Sequence, residues 1–166
     1  HLPQEVRAVH SPQKASSSAE ARLALFDFAF DHAPIGVAIV GRKGCIQRGN
    51  QVFSELIGIP VEAMPGTHFS VFTHPDDLDA DLALFRAVLD GERDGYSIEK
   101  RYIRPDRSIR HVSIHIAAMR DKAGNVIRFL SQIQDISAQK ESERLLAEKA
   151  AQLELAMEAV RGGFWH

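Results

Sequence analysis

The last third of the chain constrains its architecture most. A run of strand-forming residues, Val126-Ile127-Arg128-Phe129-Leu130-Ser131-Gln132-Ile133-Gln134, ends at Asp135-Ile136-Ser137. It passes at once into a long charged stretch, residues 138–161, with no Gly and no Pro. A strand joined to a helix without a loop is a mechanical junction, because strain in the sheet is carried along the helix to whatever follows. That arrangement suits a sensor or coupling module better than an enzyme.

The bulk numbers leave room for one domain with flanking segments in 166 residues. A hydrophobic content of 45% is enough for a single core without staples. The net charge of −2 supplies no basic field for nucleic acid. Cys45 is the only cysteine, which excludes an internal disulfide and a multi-cysteine metal site. It fits a reducing, cytoplasmic setting. Apolar runs such as Ile35-Gly36-Val37-Ala38-Ile39-Val40 are far too short to cross a bilayer, so no direct membrane contact is expected from this segment. The chain opens on His1-Leu2-Pro3 without a signal-peptide pattern, and both ends read as cuts within a longer protein. A membrane anchor elsewhere in that protein remains compatible with this reading.

Residues 1–16 are polar and read as a linker or disordered terminus. Ser17-Ser18-Ala19-Glu20 has capping-box spacing, so a flanking helix is predicted over residues 17–33. Leu23, Phe26, Ala29 and Phe30 predict a buried stripe on it, and Pro34 stops it. Ile35 to Val40 and the residues from Cys45 form two strands around the turn Gly41-Arg42-Lys43-Gly44. Asn50 opens a short helix with Phe53, Leu56 and Ile57 on one face, ended by Gly58 and Pro60. A further helix starts at Asp76-Asp77-Leu78, with Leu82, Phe85, Val88 and Leu89 as its apolar face. From Tyr96 the period turns alternating, giving strands over residues 96–104, 109–119 and 126–134. Strands grouped around a block of helices make an α+β domain: a five-stranded antiparallel sheet with short helices on one face.

The terminal helix carries a countable heptad. Ile136, Glu143, Ala150 and Met157 take one core position, and Gln139, Leu146, Leu153 and Val160 the other. Polar residues fill the first turns, so the seam of a dimeric coiled coil is Leu146, Ala150, Leu153, Met157 and Val160. A homodimer is the expected assembly, and the other reading of the same pattern is one amphipathic helix packed on its own domain.

Few residues suggest chemistry. His111, Ser113 and His115 share one face of a strand, but two imidazoles are an incomplete metal site, and such a face is ordinarily solvated. His74-Pro75-Asp76-Asp77 reads as a helix start, with Pro early and acids against the N-terminal dipole. No phosphate loop, nucleophile elbow or Cys–His set is present, and no catalytic residue or metal ligand is assigned.

Six pieces in order resemble the PAS domain family in the form with a C-terminal PAC region. They are Pro34-Ile35-Gly36-Val37-Ala38-Ile39-Val40, Gly49-Asn50-Gln51-Val52-Phe53-Ser54-Glu55-Leu56-Ile57-Gly58, and His74-Pro75-Asp76-Asp77-Leu78. Then come Glu99-Lys100-Arg101-Tyr102-Ile103-Arg104 with Asp106, Arg120-Asp121-Lys122-Ala123-Gly124, and Asp135-Ile136-Ser137-Ala138-Gln139-Lys140. The resemblance implies a PAS/PAC core over residues 34–137 and a signalling helix over residues 138–161. In it, Asp135, Ile136 and Ser137 cap the last strand and start that helix. It implies a pocket lined by Ile39, Phe53, Leu56, Phe72, Phe85, Ile114, Phe129, Ser131 and Ile133.

Two departures are visible. Arg107 stands where the family often has Gly, so the hairpin is expected to take another form, and His111 stands where Trp is common. Haem-binding relatives commonly draw an axial His from the long helix before the third strand, and residues 79–90 contain none. Flavin photosensors use an Asn-Cys-Arg motif, absent here, and Ile133 aligns where they tend to carry Gln. Haem and flavin are therefore not expected, and the resemblance is compatible with a small apolar ligand or with none. The stretch from Leu153 to Trp165 is similar to the opening of a second PAS repeat, placing its start at residues 162–166.

The resemblance implies a non-catalytic sensory and dimerisation module of a bacterial multidomain signalling protein. The parent would be a cyclic-di-GMP cyclase or phosphodiesterase, or a histidine kinase. The partners would be a second copy and the neighbouring PAS and output domains. The other reading is a constitutive interaction scaffold with a filled, ligand-free core, since pocket lining and core look alike in one sequence.

Overall fold

The computed structural model describes residues 2–163. Helix α1 (Leu2–His32) leads into strands β1 (Gly36–Gly41) and β2 (Ile46–Gly49). Helix α2 (Gln51–Ile57), two single helical turns (Val61–Ala63 and Phe69–Val71) and helix α3 (Pro75–Leu89) follow. Strands β3 (Gly95–Ile103), β4 (Ile109–Arg120) and β5 (Val126–Asp135) precede the terminal helix α4 (Ser137–Gly163). All five strands form one antiparallel sheet in the order β2-β1-β5-β4-β3. The last strand therefore sits at the centre, between the first and the fourth.

The local chemistry explains the breaks. Gly44 turns the β1–β2 hairpin at φ 85°, and a Cβ there would lie 2.5 Å from the His68 ring. Gly58 ends α2 in the left-handed conformation at φ 71°, its N–H bonded to the Ser54 carbonyl. In the β4–β5 turn Asp121 Oδ1 accepts from the N–H groups of Ala123 and Asn125. Asn50 ties three elements together. Its Oδ1 accepts from Phe53 N and Val37 N, while its Nδ2 donates to the carbonyls of Phe30 and Ile35, all at 3.0 Å. One buried amide thus caps α2 and fixes β1 and the end of α1.

The core lies between the sheet and the helical block: Phe53, Met64, Phe69, Phe72, Phe85, Val88, Ile114, Phe129 and Ile133 are all buried. Phe85 stacks on Phe129 at 4.4 Å between ring centres, and Phe72 meets Tyr102 edge-on at 5.2 Å.

Three expectations are corrected. First, the polar composition of residues 1–16 predicts a linker, whereas α1 runs back to Leu2, so Ser17-Ser18-Ala19-Glu20 lies inside a helix and caps nothing. Pro3 in the first turn and the helix formers Gln4, Glu5, Arg7 and Ala8 are compatible with that start. Second, the predicted buried stripe on α1 is mostly in solvent: Phe30 is 4% exposed, but Leu23 is 62% and Phe26 44%. Among the described residues, the end of α1 packs on the sheet, where the Arg48 guanidinium covers the Phe30 ring at 4.3 Å and pairs with Asp27 at 2.8 Å. Third, the β3–β4 hairpin keeps its left-handed residue although glycine is absent. Arg107 adopts φ 73°, and Asp106 Oδ1 holds the turn by accepting from Ser108 N and Oγ. Residues 164–166, where a second repeat would open, lie outside the described residues.

Candidate functional site

Two regions could carry function: an internal cavity and the strand-to-helix junction. The cavity has a volume of about 30 Å³ and lies between the sheet and α3. That is space for about two water-sized groups, since one needs on the order of 10–15 Å³. Most of its wall is aliphatic and aromatic, from Ala38, Val40, Ile46, Phe53, Phe69, Phe72, Phe85, Ile114, Ile116, Phe129 and Ile133.

One end of the cavity is polar. Lys100 on β3 reaches Asp81 on α3, and both side chains are almost wholly buried, at 3% and 1% exposure. The Lys100 ammonium also donates to Thr73 Oγ1 at 3.0 Å, and Tyr96 OH donates to Asp81 Oδ1 at 2.9 Å. The same ammonium sits 5.2 Å from the Phe69 ring centre and 5.4 Å from that of Tyr102. Burial pulls Lys100 below the ordinary lysine range, with the Asp81 carboxylate pulling the other way. Burial, reinforced by Asp81, pushes the Tyr96 and Tyr102 phenols well up, so both stay neutral. A buried pair of this kind adds little net stability over an apolar pair, yet losing one partner is costly.

The junction is built from Asp135, Ile136 and Ser137. Asp135 Oδ1 accepts from Ser137 N at 2.9 Å, so the carboxylate caps the first turn of α4. Ile136 N donates to the His111 carbonyl at 2.8 Å, and the Ile136 side chain is buried. His111 N donates to Ser137 Oγ at 3.0 Å. Strand β4 therefore grips both sides of the junction through one residue. Lys140, one turn on, reaches Glu99 on β3 at 3.4 Å. Beyond it every residue from Glu141 to Gly162 is exposed. Within that stretch Leu146 is 68% exposed and Leu153 63%, with Met157 and Val160 exposed as well.

The sequence profile of a family described as PAS fold matches residues 48–133, just over half of the chain. The chain belongs to the PAS-fold family. It is a PAS sensory module, and PAS domains are not catalytic in themselves. A probable diguanylate cyclase, DgcE, of Escherichia coli (strain K12) is 30% identical over 140 residues. The match takes in 84% of this chain and 13% of that protein, so the chain spans a small part of its relative. Among solved structures, a PAS domain from Colwellia psychrerythraea superposes with a TM-score of 0.63 at 17% identity, over 70% of this chain and 98% of that one. A sensory box histidine kinase/response regulator from Burkholderia thailandensis gives 0.61 at 24% identity, over 78% of this chain and 97% of that one.

Of the residues named from sequence for a pocket, Phe53, Phe72, Phe85, Ile114, Phe129, Ser131 and Ile133 line the cavity. Ile39 does not, because β1 alternates and Ala38 and Val40 hold the inward positions. Leu56 is buried in the core but off the cavity wall. His111 and His115 lie on the outward face of β4, and His115 Nδ1 is 2.9 Å from Ser97 Oγ. Among the described residues no three His, Cys, Asp or Glu side chains assemble a metal site. None of the helices is long and apolar enough to cross a membrane, again among the described residues.

Sequence reading missed Thr73, Asp81, Tyr96, Lys100 and Tyr102. The signal was present. Asp81 lies four residues before Phe85 and seven before Val88, on the same helix face. Lys100 shares the inward parity of Tyr96 and Tyr102. An acid on one apolar face and a base on another are each unremarkable, and their pairing needs the register of α3 against β3.

Proposed function

We propose that this module senses a chemical or partner state and passes it through α4 to an output domain of a bacterial multidomain protein. The observation that carries this reading is the junction. Sheet and helix are hydrogen-bonded to each other at Asp135, Ile136, Ser137 and His111, and α4 then leaves the domain bare. A helix held only at its root transmits rotation or tilt of that root. A second copy would cover the seam of Leu146, Ala150, Leu153, Met157 and Val160, giving a two-helix coiled coil. The likeness to DgcE favours a cyclic-di-GMP cyclase as the parent, with a phosphodiesterase or histidine kinase as the other outputs. The setting is cytoplasmic, and no nucleic acid or cofactor enters the reading.

A ligand must bind two helix arrangements with unequal affinity, or nothing is transmitted. The small cavity supports a second reading, a constitutive scaffold with a filled core. Insertions in α4 of the intact parent separate the two. Seven residues placed after Ala150 preserve the heptad phase, and four break it. A transmitting helix keeps its regulated output with seven and loses it with four. Equal output from both insertions contradicts transmission and leaves the scaffold.

A further inference from the structure

The end of the sheet away from the helix roots carries a basic surface that the fold itself does not use. Strand β1 runs from Gly36, opposite Ile133 and close to the roots of α1 and α4, to Gly41, opposite Arg128. Two turns close that far end, residues 42–45 between β1 and β2 and residues 121–125 between β4 and β5. Arg42 Nη1 donates to the Val126 carbonyl at 3.0 Å, which ties the two turns into one platform.

Residues 41–44 and 119–128 hold five Lys and Arg against one Asp, in a chain whose net charge is −2. Asp94 takes up Arg120 at 3.8 Å, and Asp121 Oδ1 is bonded to the N–H groups of its own turn. Arg42, Lys43, Lys122 and Arg128 are exposed, and none has an ion-pair partner among the described residues. Apolar side chains stand among them, Met119 at 50% exposure and Ile127 at 43%. Met119 lies opposite Arg128, and the next register pair is Arg120 with Val126, so Ile127 has no partner on β4. It is the extra residue of a bulge, a device that re-aims a side chain. Here it leaves an isoleucine in solvent beside the charges.

We infer that this turn end docks on the surface of an anionic phospholipid bilayer. The four basic side chains meet the lipid phosphates, and Ile127 and Met119 enter the boundary between headgroups and acyl chains. Each Lys or Arg at such a surface contributes on the order of fivefold in affinity. The short apolar runs of the chain exclude crossing a bilayer, and docking on its surface needs none. The expectation of no membrane contact rested on crossing alone and is revised here. The docking stands apart from transmission through α4 and does not require it.

Other polyanions fit the surface less well. A nucleic acid would use the charges and leave Ile127 and Met119 idle. An acidic peptide that adds to a sheet needs a free edge, and β4 and β5 are inner strands. The tips of two turns, with every residue from Asp121 to Asn125 exposed, suit a broad surface instead.

Co-sedimentation of the chain with phosphatidylcholine vesicles, with and without phosphatidylglycerol, tests the docking. Binding should need phosphatidylglycerol and fall steeply as salt is raised. Lys43→Gln with Lys122→Gln should weaken it by about 25-fold. Met119→Ser with Ile127→Ser should weaken it by about tenfold at unchanged charge. Arg22→Gln with Lys149→Gln removes the same charge from exposed positions on α1 and α4 and should change little. Thermal melting checks that each variant folds, and the charge pair with its control decides the matter should the apolar pair fail to. No binding to either vesicle, equal binding to both, or equal loss from the two charge variants overturns the docking. So does an apolar pair that folds and binds undiminished, or duplex DNA or polyglutamate bound as tightly as the anionic vesicles.

Discussion

In the body of the domain Phe53, Phe72, Phe85 and Phe129 are sealed between sheet and helices, whereas on α4 Leu146 and Leu153 are left in solvent. Both regions are rich in large apolar residues, and only the body closes on itself. The difference follows from how each is built. The body has a sheet whose three inner strands, β1, β5 and β4, are paired on both sides, and α3 covers its inner face. The helix α4 has one root, Asp135 to Lys140, and beyond it residues 141–162 are all exposed among the described residues. α1 repeats the pattern in reverse, with Phe30 docked and Leu23, Leu25, Phe26 and Phe28 exposed. A large exposed apolar seam on a helix ordinarily marks an interaction surface. On the function proposed above, the body would hold a state and α4 would report it.

The comparison breaks most sharply at the buried pair. Asp81→Ala should destabilise the body by about 3–5 kcal/mol in chemical denaturation, because it strands the Lys100 ammonium in the core. The double change Asp81→Leu with Lys100→Met should recover most of that loss. If the single change is harmless, the pair is not sealed as described. On the helix side, Leu146→Asp with Leu153→Asp should abolish the proposed dimer in light scattering and leave the melting of the sheet domain unchanged. Unchanged mass would remove the coiled-coil proposal.

Smaller effects sharpen the boundary. The Arg101 guanidinium, by hydrogen bonding to Asp77, holds that carboxyl below its ordinary 3.8. A carboxyl lowered in the folded state adds stability above its unfolded pKa and loses it as pH falls through the folded value. Asp77→Asn should therefore cost about 1–2 kcal/mol at neutral pH and nothing once the pH is well below 3.8. A cost that persists undiminished in acid would argue against the ion pair as its source. Smallest of all, Arg107→Gly should stabilise the protein by about 1 kcal/mol, since glycine adopts φ 73° without strain. A loss of stability there would mean that the arginine side chain matters more than its backbone.

The sheet and the junction were legible because their signals are local. The alternation of residues 96–134 sets three strands to within a residue or two, and Asp135 caps the helix that its position before Ile136-Ser137 predicts. The hub made by Asn50 was legible only in part, as a helix start, since its bonds to Val37, Phe30 and Ile35 span 13 to 20 residues. The Asp81–Lys100 pair was hidden for the same reason: it joins residues 19 apart across two elements. α1 was misjudged because a stripe at helical spacing says which residues share a face and not whether anything covers that face. The hairpin at Arg107 was misjudged because the Asp106 carboxylate offsets what the missing glycine would have supplied.

The central claim is that the body is complete in one copy while α4 is not. Backbone amide hydrogen exchange at low and high protein concentration tests it directly. Strands β1 to β5 and the amides of Ile136 and Lys140 should be protected equally at both concentrations, whereas protection from Leu146 to Val160 should rise with concentration. Strong protection of α4 that does not depend on concentration would contradict the account, because it would require the helix to find its cover within a single chain.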